Sequence, residues 1–269
     1  MSAPDRFSEQ AKYYARFRPV YPSALYEYIL DRCPGREVAW DAATGSGQAA
    51  RVLAESYRRV IATDISADQI KNAPPLENIE YRVGGAEESG LEDESADLIT
   101  VAQALHWFSK ERFFREARRV LRPGGALAVW GYHRHIIEEE AGRMLNHIHF
   151  DLLGPYWAPE VQSLLGKYED VQFPFAETES ASFGFTTRIS LEELKGYILS
   201  WSATRKFLRE RSQAELDGAF RELEAAWGDS PGAESDLQAV KEIPGAAKEI
   251  SGAAKEMKWS IFLRLGRKE

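Results

Sequence analysis

The strongest chemical signal in this chain is a short glycine-containing segment, D-A-A-T-G-S-G-Q, at positions 41–48. Glycine adopts backbone conformations that a Cβ atom hinders, so Gly45 and Gly47 would let the backbone approach a ligand closely. The segment follows an apolar run and precedes a helical pattern, so the amides of a helix N-terminus would face that ligand. The pattern therefore predicts a binding site for a nucleoside-containing cofactor.

Two classes of cofactor use such a turn. Gly45, Gly47 and Ala50 match the dinucleotide pattern G-x-G-x-x-G/A, in which a pyrophosphate rests on the helix N-terminus. The carboxylate of Asp41 argues against a dinucleotide, because it would lie close to the negative pyrophosphate. The same carboxylate suits a ligand that carries a cation, such as the ammonium group of a methionine moiety.

A second acidic residue, Asp64, directly follows the apolar run 60–63, roughly 20 residues beyond the glycine turn. At this spacing a carboxylate can accept hydrogen bonds from ribose hydroxyls. An aspartate at a strand end is also a common helix cap, and Ser66 could cap the next helix equally well. Because several nucleoside cofactors share the ribose anchor, Asp64 does not discriminate between them.

The elements that would position these residues are short apolar runs that alternate with helical patterns. The runs are 38–40, 60–63, 79–83, 98–101 and 126–130, and the helical patterns are 48–56, 67–72 and 110–121. Such alternation is typical of βαβ units, which form a parallel sheet with helices on both faces. Extended segments at 171–187 and 258–264 bring the total to seven strands. We therefore predict an α/β fold with a doubly wound, mostly parallel, Rossmann-like sheet.

The regions around this sheet are predicted to be mainly helical. We divide the chain into a helical lid (1–34), a cofactor-binding core (35–132), a helical cap or insertion after strand 5 that includes strand 6 (133–256), and a last strand (257–269). Ser190 and Ser212 are candidate helix caps. A seven-residue repeat at 243–256 is interpreted as a local duplication, because two copies are too few for a coiled coil.

Composition narrows the classes of partner. The 269-residue chain has a formal net charge of −8, which gives no general attraction to nucleic acid. Its one cysteine, Cys33, excludes an internal disulfide, and no apolar run approaches the roughly 20 residues that cross a bilayer. With no secretory signal in the opening residues, we predict a cytoplasmic protein, a monomer or homodimer, that acts on a small molecule without nucleic acid or membrane.

The motifs, in this order, resemble those of class I S-adenosylmethionine-dependent methyltransferases, in particular the trans-aconitate methyltransferase-like, type 11 methyltransferase-domain group. They are D-A-A-T-G-S-G-Q (41–48), D-I-S (64–66), G-A-E (85–87), A-D-L-I-T-V-A-Q-A-L-H-W (96–107) and R-V-L-R-P-G-G-A (119–126). The N-terminal F-S-E-Q-A-K-Y-Y (7–14) and R-P-V-Y-P (18–22) are also similar. The resemblance extends to about residue 130, and more weakly to 196–202 and the last strand.

The resemblance implies S-adenosylmethionine as cofactor and S-adenosylhomocysteine as product. Asp64 would hold the ribose with Ile65 beside the adenine, and the backbone of Gln103 would face the methionine ammonium. The family often has glycine where this chain has Ala43, a difference that bears on cofactor affinity more than on cofactor identity. The full set of cofactor-binding residues implied is Asp41, Ala43, Gly45, Gly47, Gln48, Asp64, Ile65, Ala86, Glu87 and Gln103.

Candidate catalytic residues follow strand 4 and occupy the N-terminal segment. His106 could orient or deprotonate a substrate hydroxyl, since an imidazole titrates near neutral pH, or it could simply hydrogen-bond a loop. In the predicted lid, the Tyr14 ring could face a sulfonium and Arg18 could hold a carboxylate. The substrate pocket is predicted to include Tyr21, Trp107 and Trp201.

No metal is predicted, because the histidine pairs 133/135 and 147/149 lack the spacing of metal ligands. The favoured hypothesis is methyl transfer from S-adenosylmethionine to an oxygen, a carboxylate or hydroxyl, of a small molecule. Oxygen is favoured because the chain lacks the N-P-P-Y-type motif of many DNA and protein amide methyltransferases. The alternatives are an NAD(P)-binding Rossmann oxidoreductase and a non-catalytic cofactor-binding protein.

Overall fold

The computed structural model describes residues 19–175, 177–228 and 254–269. These residues form two compact units. The first unit comprises the described parts of Met1–Arg134, Pro159–Phe185 and Ser260–Glu269, and the second comprises those of His135–Ala158 and Thr186–Trp259. The predicted four-part division of the chain stays a prediction.

A seven-stranded sheet organises the chain. Its strands are β1 (Val38–Ala42), β2 (Arg59–Asp64), β3 (Ile79–Val83), β4 (Ala96–Ala102), β5 (Leu121–Ile137), β6 (Glu177–Ser190) and β7 (Ala254–Arg267), in the order β3-β2-β1-β4-β5-β7-β6. The pairs β1–β2, β2–β3, β1–β4 and β4–β5 are parallel. The predicted α/β, doubly wound, mostly parallel sheet is therefore confirmed. The winding reverses between β1 and β4, and ligands bind at the carboxyl ends of the strands at such a point.

One helix precedes the sheet, and the others connect its strands. They are α1 (Ser23–Arg32), α2 (Gln48–Leu53), α3 (Ala67–Asn72), α4 (Lys110–Val120), α5 (Glu139–Asn146), α6 (Val161–Leu165), α7 (Leu191–Leu199), α8 (Ser202–Glu210) and α9 (Gln213–Trp227). A 3-10 turn covers Leu105–Trp107, a π-helical segment covers His147–Leu152, and a second 3-10 turn covers Gly154–Tyr156. None of the helices in the described ranges is long and apolar enough to cross a membrane.

The central strands are buried on both faces, which explains why they read as apolar runs rather than as an alternating pattern. Trp40 of β1 packs edge-on against Phe113 of α4, with ring centroids 6.3 Å apart. Its indole nitrogen donates to the Thr63 hydroxyl of β2 at 3.0 Å. This face of the sheet is therefore an ordinary packed core, and the opposite face of β1 carries Asp41.

The helical caps predicted from the sequence are confirmed. Ser190 forms a capping box with Glu193 at the start of α7, and the Ser212 hydroxyl accepts from the Ala214 amide at the start of α9. The helical pattern at 137–168 is instead broken into α5, the π-helical segment, a 3-10 turn and α6. Strand β5 is also longer than the run 126–130, since it begins at Leu121, before Pro123. Its register against β4 shifts between Ala96 and Leu98.

Candidate functional site

The glycine turn joins β1 to α2, and several of its residues have left-handed backbone conformations. Gly45 and Gly47 have φ values of +57° and +81°, which glycine adopts without strain. A Cβ atom at Gly47 would overlap the Tyr81 hydroxyl of β3, so both the space and the left-handed φ favour glycine there. Ala43, where the family often has glycine, also takes a left-handed φ of +56°. The methyl group of Ala43 therefore adds about 1 kcal/mol of strain.

Hydrogen bonds fix the turn to the carboxyl end of β2. The Thr44 amide donates to the Thr63 carbonyl, and the Gly45 amide donates to Asp64 Oδ2, both at 2.9 Å. Asp64 Oδ1 accepts from the Ser66 amide, while the Ser66 hydroxyl itself caps α3. Since Ser66 supplies the helix cap, the buried Asp64 carboxylate holds the turn and does not cap α3.

Asp41 lies buried beneath the turn. Its carboxylate accepts hydrogen bonds from the Thr44 hydroxyl and, at 2.7 Å, from the Thr100 hydroxyl of β4, and a further one from the Ala50 amide of α2. Burial raises the pKa of Asp41 to about 6, these hydrogen bonds oppose the rise, and the charge of Asp64 adds to it. The two carboxylates make this end of the sheet negative, which favours a cationic ligand and disfavours a pyrophosphate.

The predicted adenine-side residues follow β2 and β3. Ile65 and Val83 are among the exposed large hydrophobic side chains, and the strand register pairs Val83 with the neighbour of Ile65, Asp64. Ala86 is buried in the core, and Glu87 accepts from the Ser109 amide just before α4 at 2.9 Å. The exposed apolar pair next to Asp64 offers a surface for a flat ring.

His106 is buried in the 3-10 turn that follows β4. Its Nδ1 lies 2.8 Å from the Tyr168 hydroxyl, and its ring packs beside Trp107 with centroids 4.6 Å apart. Burial, with a smaller effect from the Lys110 charge, lowers the pKa of His106 to about 3. The imidazole is therefore neutral at physiological pH. Sequence patterns gave no signal for Tyr168, because it lies 62 positions away from its partner.

The residues before α1 lie beside the turn. Gln48, a predicted cofactor-binding residue, donates through Nε2 to the Pro19 carbonyl at 2.6 Å. Tyr21 is buried edge-on against Trp130 of β5, with ring centroids 5.6 Å apart. The predicted pocket residues Tyr21 and Trp107 thus both belong to the first unit. Tyr14 and Arg18 fall outside the described residues, and their roles stay predictions.

Trp201 belongs to the second unit, in a cluster of aromatic rings. Its ring centroid lies 5.0 Å from that of His149, 5.3 Å from that of Tyr197 and 5.7 Å from that of Trp157. The predicted place of Trp201 in the substrate pocket stays a prediction. Within the described ranges, no three histidine, cysteine or acidic side chains are grouped so as to hold a metal ion. The repeat at 243–256 is outside these ranges, apart from 254–256 at the start of β7.

Several buried polar atoms have no hydrogen-bond partner. In the described part of the chain these side-chain atoms are Tyr26 Oη, Gln69 Oε1, Tyr81 Oη, Gln103 Nε2, Trp130 Nε1 and His149 Nδ1. An unsatisfied buried polar group costs about 1–3 kcal/mol, so a concentration of them requires an explanation. Tyr81 lies against the turn at Gly47, and the charge of Asp41 acts on Tyr26, so two of these atoms belong to residues near the turn.

Comparison with known proteins agrees with this geometry. Residues 40–129 match the family described as the methyltransferase domain. A Dictyostelium discoideum protein named as a methyltransferase is 36% identical over 209 residues, covering 76% of this chain and 80% of its own. A Saccharomyces cerevisiae protein named as an S-adenosylmethionine-dependent methyltransferase is 26% identical over 238 residues, covering 75% and 81%. The solved structure described as a type II methyltransferase of Anaeromyxobacter dehalogenans has a TM-score of 0.77 and 33% identity, covering 93% and 98%.

Proposed function

Because this chain belongs to the class I S-adenosylmethionine-dependent methyltransferases, we propose that it methylates an oxygen of a small molecule, using S-adenosylmethionine bound at the glycine turn. Family membership sets aside the alternative of a nicotinamide-dependent oxidoreductase. The net charge of −8 supports a small acceptor rather than a nucleic acid. The cofactor is further supported by the yeast relative, whose name specifies S-adenosylmethionine.

The residues around the turn fit this cofactor. Asp64 would accept from the ribose hydroxyls, and the exposed Ile65 and Val83 would cover the adenine. Gly47 leaves no room for a side chain where the backbone must approach the ligand, and the negative charge of Asp41 suits an ammonium or sulfonium. When bound, S-adenosylmethionine supplies an activated methyl group. The chain's own task is therefore to position the acceptor and exclude water.

The environment of His106 carries the proposal of an acidic oxygen acceptor. A buried imidazole whose pKa is about 3 is a weak general base at neutral pH. A carboxylic acid is already ionised at that pH and needs no base, whereas a phenol or an alcohol, with a pKa of about 10 or higher, must lose a proton. We therefore assign His106 the task of orienting the acceptor through a neutral imidazole, with Tyr168 holding the ring at Nδ1.

The remaining predicted residues have places in the same proposal. Residues 1–34 would act as a lid that closes over the bound cofactor. Within that lid, Tyr14 would face the sulfonium and Arg18 would hold a carboxylate of the acceptor. Tyr21 and Trp107 of the first unit would contact the acceptor.

Calorimetry tests the cofactor assignment. We expect the protein to bind S-adenosylmethionine and S-adenosylhomocysteine and not NAD. Asp64→Ala should weaken binding about 10- to 100-fold, because charge-assisted hydrogen bonds to the ribose are lost. Asp68→Ala is the matched control, since Asp68 is an exposed carboxylate on α3. Unchanged affinity in Asp64→Ala would exclude Asp64 as the ribose anchor.

A labelling experiment tests the acceptor. The protein is incubated with S-adenosylmethionine carrying an isotopic methyl group and with pools of carboxylic acids, phenols, alcohols and amines. We expect label in the carboxylic acid pool, as a methyl ester that releases the label as methanol in mild alkali. Label found only on amines would contradict the proposal of an oxygen acceptor.

A further inference from the structure

The partner of His106 is a tyrosine in the loop that follows α6. Tyr168 is fully buried, and its hydroxyl lies 2.8 Å from His106 Nδ1, with the centroids of the two stacked rings 6.2 Å apart. The Tyr168 ring also packs edge-on against Phe262 of β7, with centroids 5.4 Å apart. All three residues belong to the first unit. The Tyr168 ring is therefore held between β7 and the 3-10 turn that carries His106.

The backbone that presents Tyr168 is strained. Lys167 and Tyr168 have consecutive left-handed φ values of +57° and +54°, a conformation that costs residues other than glycine about 1–2 kcal/mol each. Arg264 of β7 stabilises this conformation, because its guanidinium donates to the Tyr168 carbonyl and, at 2.7 Å, to the Val171 carbonyl. The same guanidinium lies 4.2 Å from the centroid of the Phe173 ring. A strained backbone that is fixed in this way points to a role for the tyrosine beyond packing.

The Tyr168 hydroxyl determines which ring nitrogen of His106 carries the hydrogen. Burial raises the pKa of Tyr168, so the phenol keeps its hydrogen, although the amides of His106 and Leu105 act on the same oxygen in the opposite direction. Within the described part of the chain, His106 Nδ1 is the one acceptor within hydrogen-bond distance of this hydroxyl. If the hydroxyl did not donate there, its buried hydrogen would be unsatisfied at a cost of about 1–3 kcal/mol. Tyr168 therefore donates, Nδ1 accepts, and the hydrogen of the neutral imidazole is on Nε2.

A general base needs the opposite arrangement. A basic imidazole commonly donates from Nδ1 to a carboxylate, which stabilises the imidazolium and leaves Nε2 free to accept a proton. Among the described residues, the charge that acts on His106 is the cation of Lys110, which disfavours an imidazolium, and no carboxylate contributes. Nε2 has no hydrogen-bond partner in the described ranges, and it is not one of the unsatisfied atoms that the fold encloses. Nε2–H is thus a donor that a ligand can reach.

We propose that Tyr168 is a positioning residue that keeps His106 in the Nε2–H tautomer, and that Nε2 donates a hydrogen bond to an oxygen of the acceptor. Arg264 supports this arrangement by holding the Tyr168 backbone. A donor at this place suits a carboxylate, since one of its oxygens can accept from Nε2 while the other attacks the methyl group. It does not suit an ammonium, which only donates. The inference rests on the proposed function and gives His106 the proton role opposite to that of a general base.

Nitrogen NMR of the full-length chain with isotopically labelled histidines measures the tautomer, because protonated and unprotonated ring nitrogens resonate at well-separated frequencies. The chain has five histidines, and the signals lost in His106→Gln are those of His106. We expect Nε2–H in wild type from pH 5.5 to 8, and a mixture of both tautomers in Tyr168→Phe. Tyr57→Phe is the matched control, because it removes another buried hydroxyl that donates to a side chain, that of Cys33. It should leave the His106 signals unchanged.

Methyl transfer to the carboxylic acid pool, measured with isotopically labelled S-adenosylmethionine, tests the role of the dyad. We expect Tyr168→Phe to lower the rate of labelling about 10-fold, the effect of one lost hydrogen bond to a charged group. Its affinity for S-adenosylhomocysteine should stay unchanged, whereas a merely structural tyrosine would affect cofactor binding as well. His106→Gln, whose amide still donates, should label the acids faster than His106→Ala does, while loss of a general base would slow both variants equally.

Two results would overturn the assignment. One is an Nδ1–H tautomer of His106 in wild type, and the other is a Tyr168→Phe protein that matches wild type in both tautomer and rate of labelling. If Tyr168→Phe does not fold, the wild-type spectrum and the comparison of His106→Gln with His106→Ala still decide between a donor and a base. The proposed function fails separately, if wild type labels no acid in the pool. The spectrum needs no acceptor, so it decides the tautomer in either case.

Discussion

Replacing Asp41 by asparagine should stabilise the ligand-free protein while it weakens cofactor binding. The pKa of Asp41 is about 6 in the folded protein, against about 3.9 in an unfolded chain. A raised carboxyl pKa means that the folded state holds the proton more tightly than the unfolded state. Stability therefore falls as the pH rises from about 4 to about 6, and the loss is complete above that.

The size of the effect follows from the shift. About 2 pH units at 1.36 kcal/mol each give about 3 kcal/mol as the cost of charging Asp41 in place. Asparagine has the same shape and no charge, so Asp41→Asn should gain about 2–3 kcal/mol at pH 8 and almost nothing at pH 4. For a chain of this size that gain raises Tm by about 5–10 °C at pH 8. The hydroxyls of Thr44 and Thr100 can rotate to suit the amide.

The assay is thermal and urea unfolding of both proteins from pH 4 to pH 8, with Asp68→Asn as the exposed control. Calorimetry at pH 8 should show that Asp41→Asn binds S-adenosylhomocysteine more weakly, because the ammonium loses its counter-charge. A destabilisation of equal size at both ends of the pH range would refute the reasoning. Asp41 would then be a structural cap for α2 and not a strained charge.

Three other substitutions test particular features of the site. Gly47→Ala should destabilise the protein by about 1–3 kcal/mol and abolish S-adenosylhomocysteine binding, because its Cβ would meet the Tyr81 hydroxyl; Gly84→Ala, with open space around it, should do neither in the same melts and titrations. Ala43→Gly should raise the free energy of unfolding by about 0.5 kcal/mol, because relief of the backbone strain at Ala43 outweighs the extra entropy that glycine gives the unfolded chain. A lower Tm in Ala43→Gly would be incompatible with the left-handed φ of Ala43. Because the pKa of His106 is about 3, the pH profile of kcat/KM should show no inflection from this group between pH 5.5 and 8. An inflection in that range that disappeared in His106→Gln would show that the imidazole titrates as a base.

Local sequence signals predicted the core of the fold well. The run 79–83 coincides with β3, and the pattern 67–72 coincides with α3. Both are short segments whose ends are set by neighbouring turn residues. Strand β5 was underestimated because Pro123, Gly124 and Gly125 indicate a break, whereas pairing with neighbouring strands extends the strand to Leu121–Ile137. Tertiary pairing, which is not a local property, decides that boundary.

The same distinction holds in the site. The glycine turn and Asp64 were predictable because the contacts that join them follow directly from the βαβ connection. The partners Tyr168 of His106 and Thr100 of Asp41 were not, because they come from distant positions in the chain. Thr100 did leave one signal, a hydroxyl within the apolar run 98–101. The unsatisfied side-chain atoms of Tyr26 and Trp130 left none, since buried aromatic residues usually indicate packing alone.

Three features that each lower the stability of the ligand-free protein occur at one end of one sheet. They are the buried charge of Asp41, the left-handed Ala43 and the unsatisfied donors of Tyr26, Gln103 and Trp130. A sequence selected for stability alone would have asparagine at position 41, glycine at position 43 and phenylalanine at position 26. Their joint presence is explained if the ligand-bound state is the one that is stabilised. S-adenosylhomocysteine should therefore raise Tm more in wild type than in Asp41→Asn or Tyr26→Phe. Equal increases in Tm would contradict the inference that these residues are present because they bind the ligand.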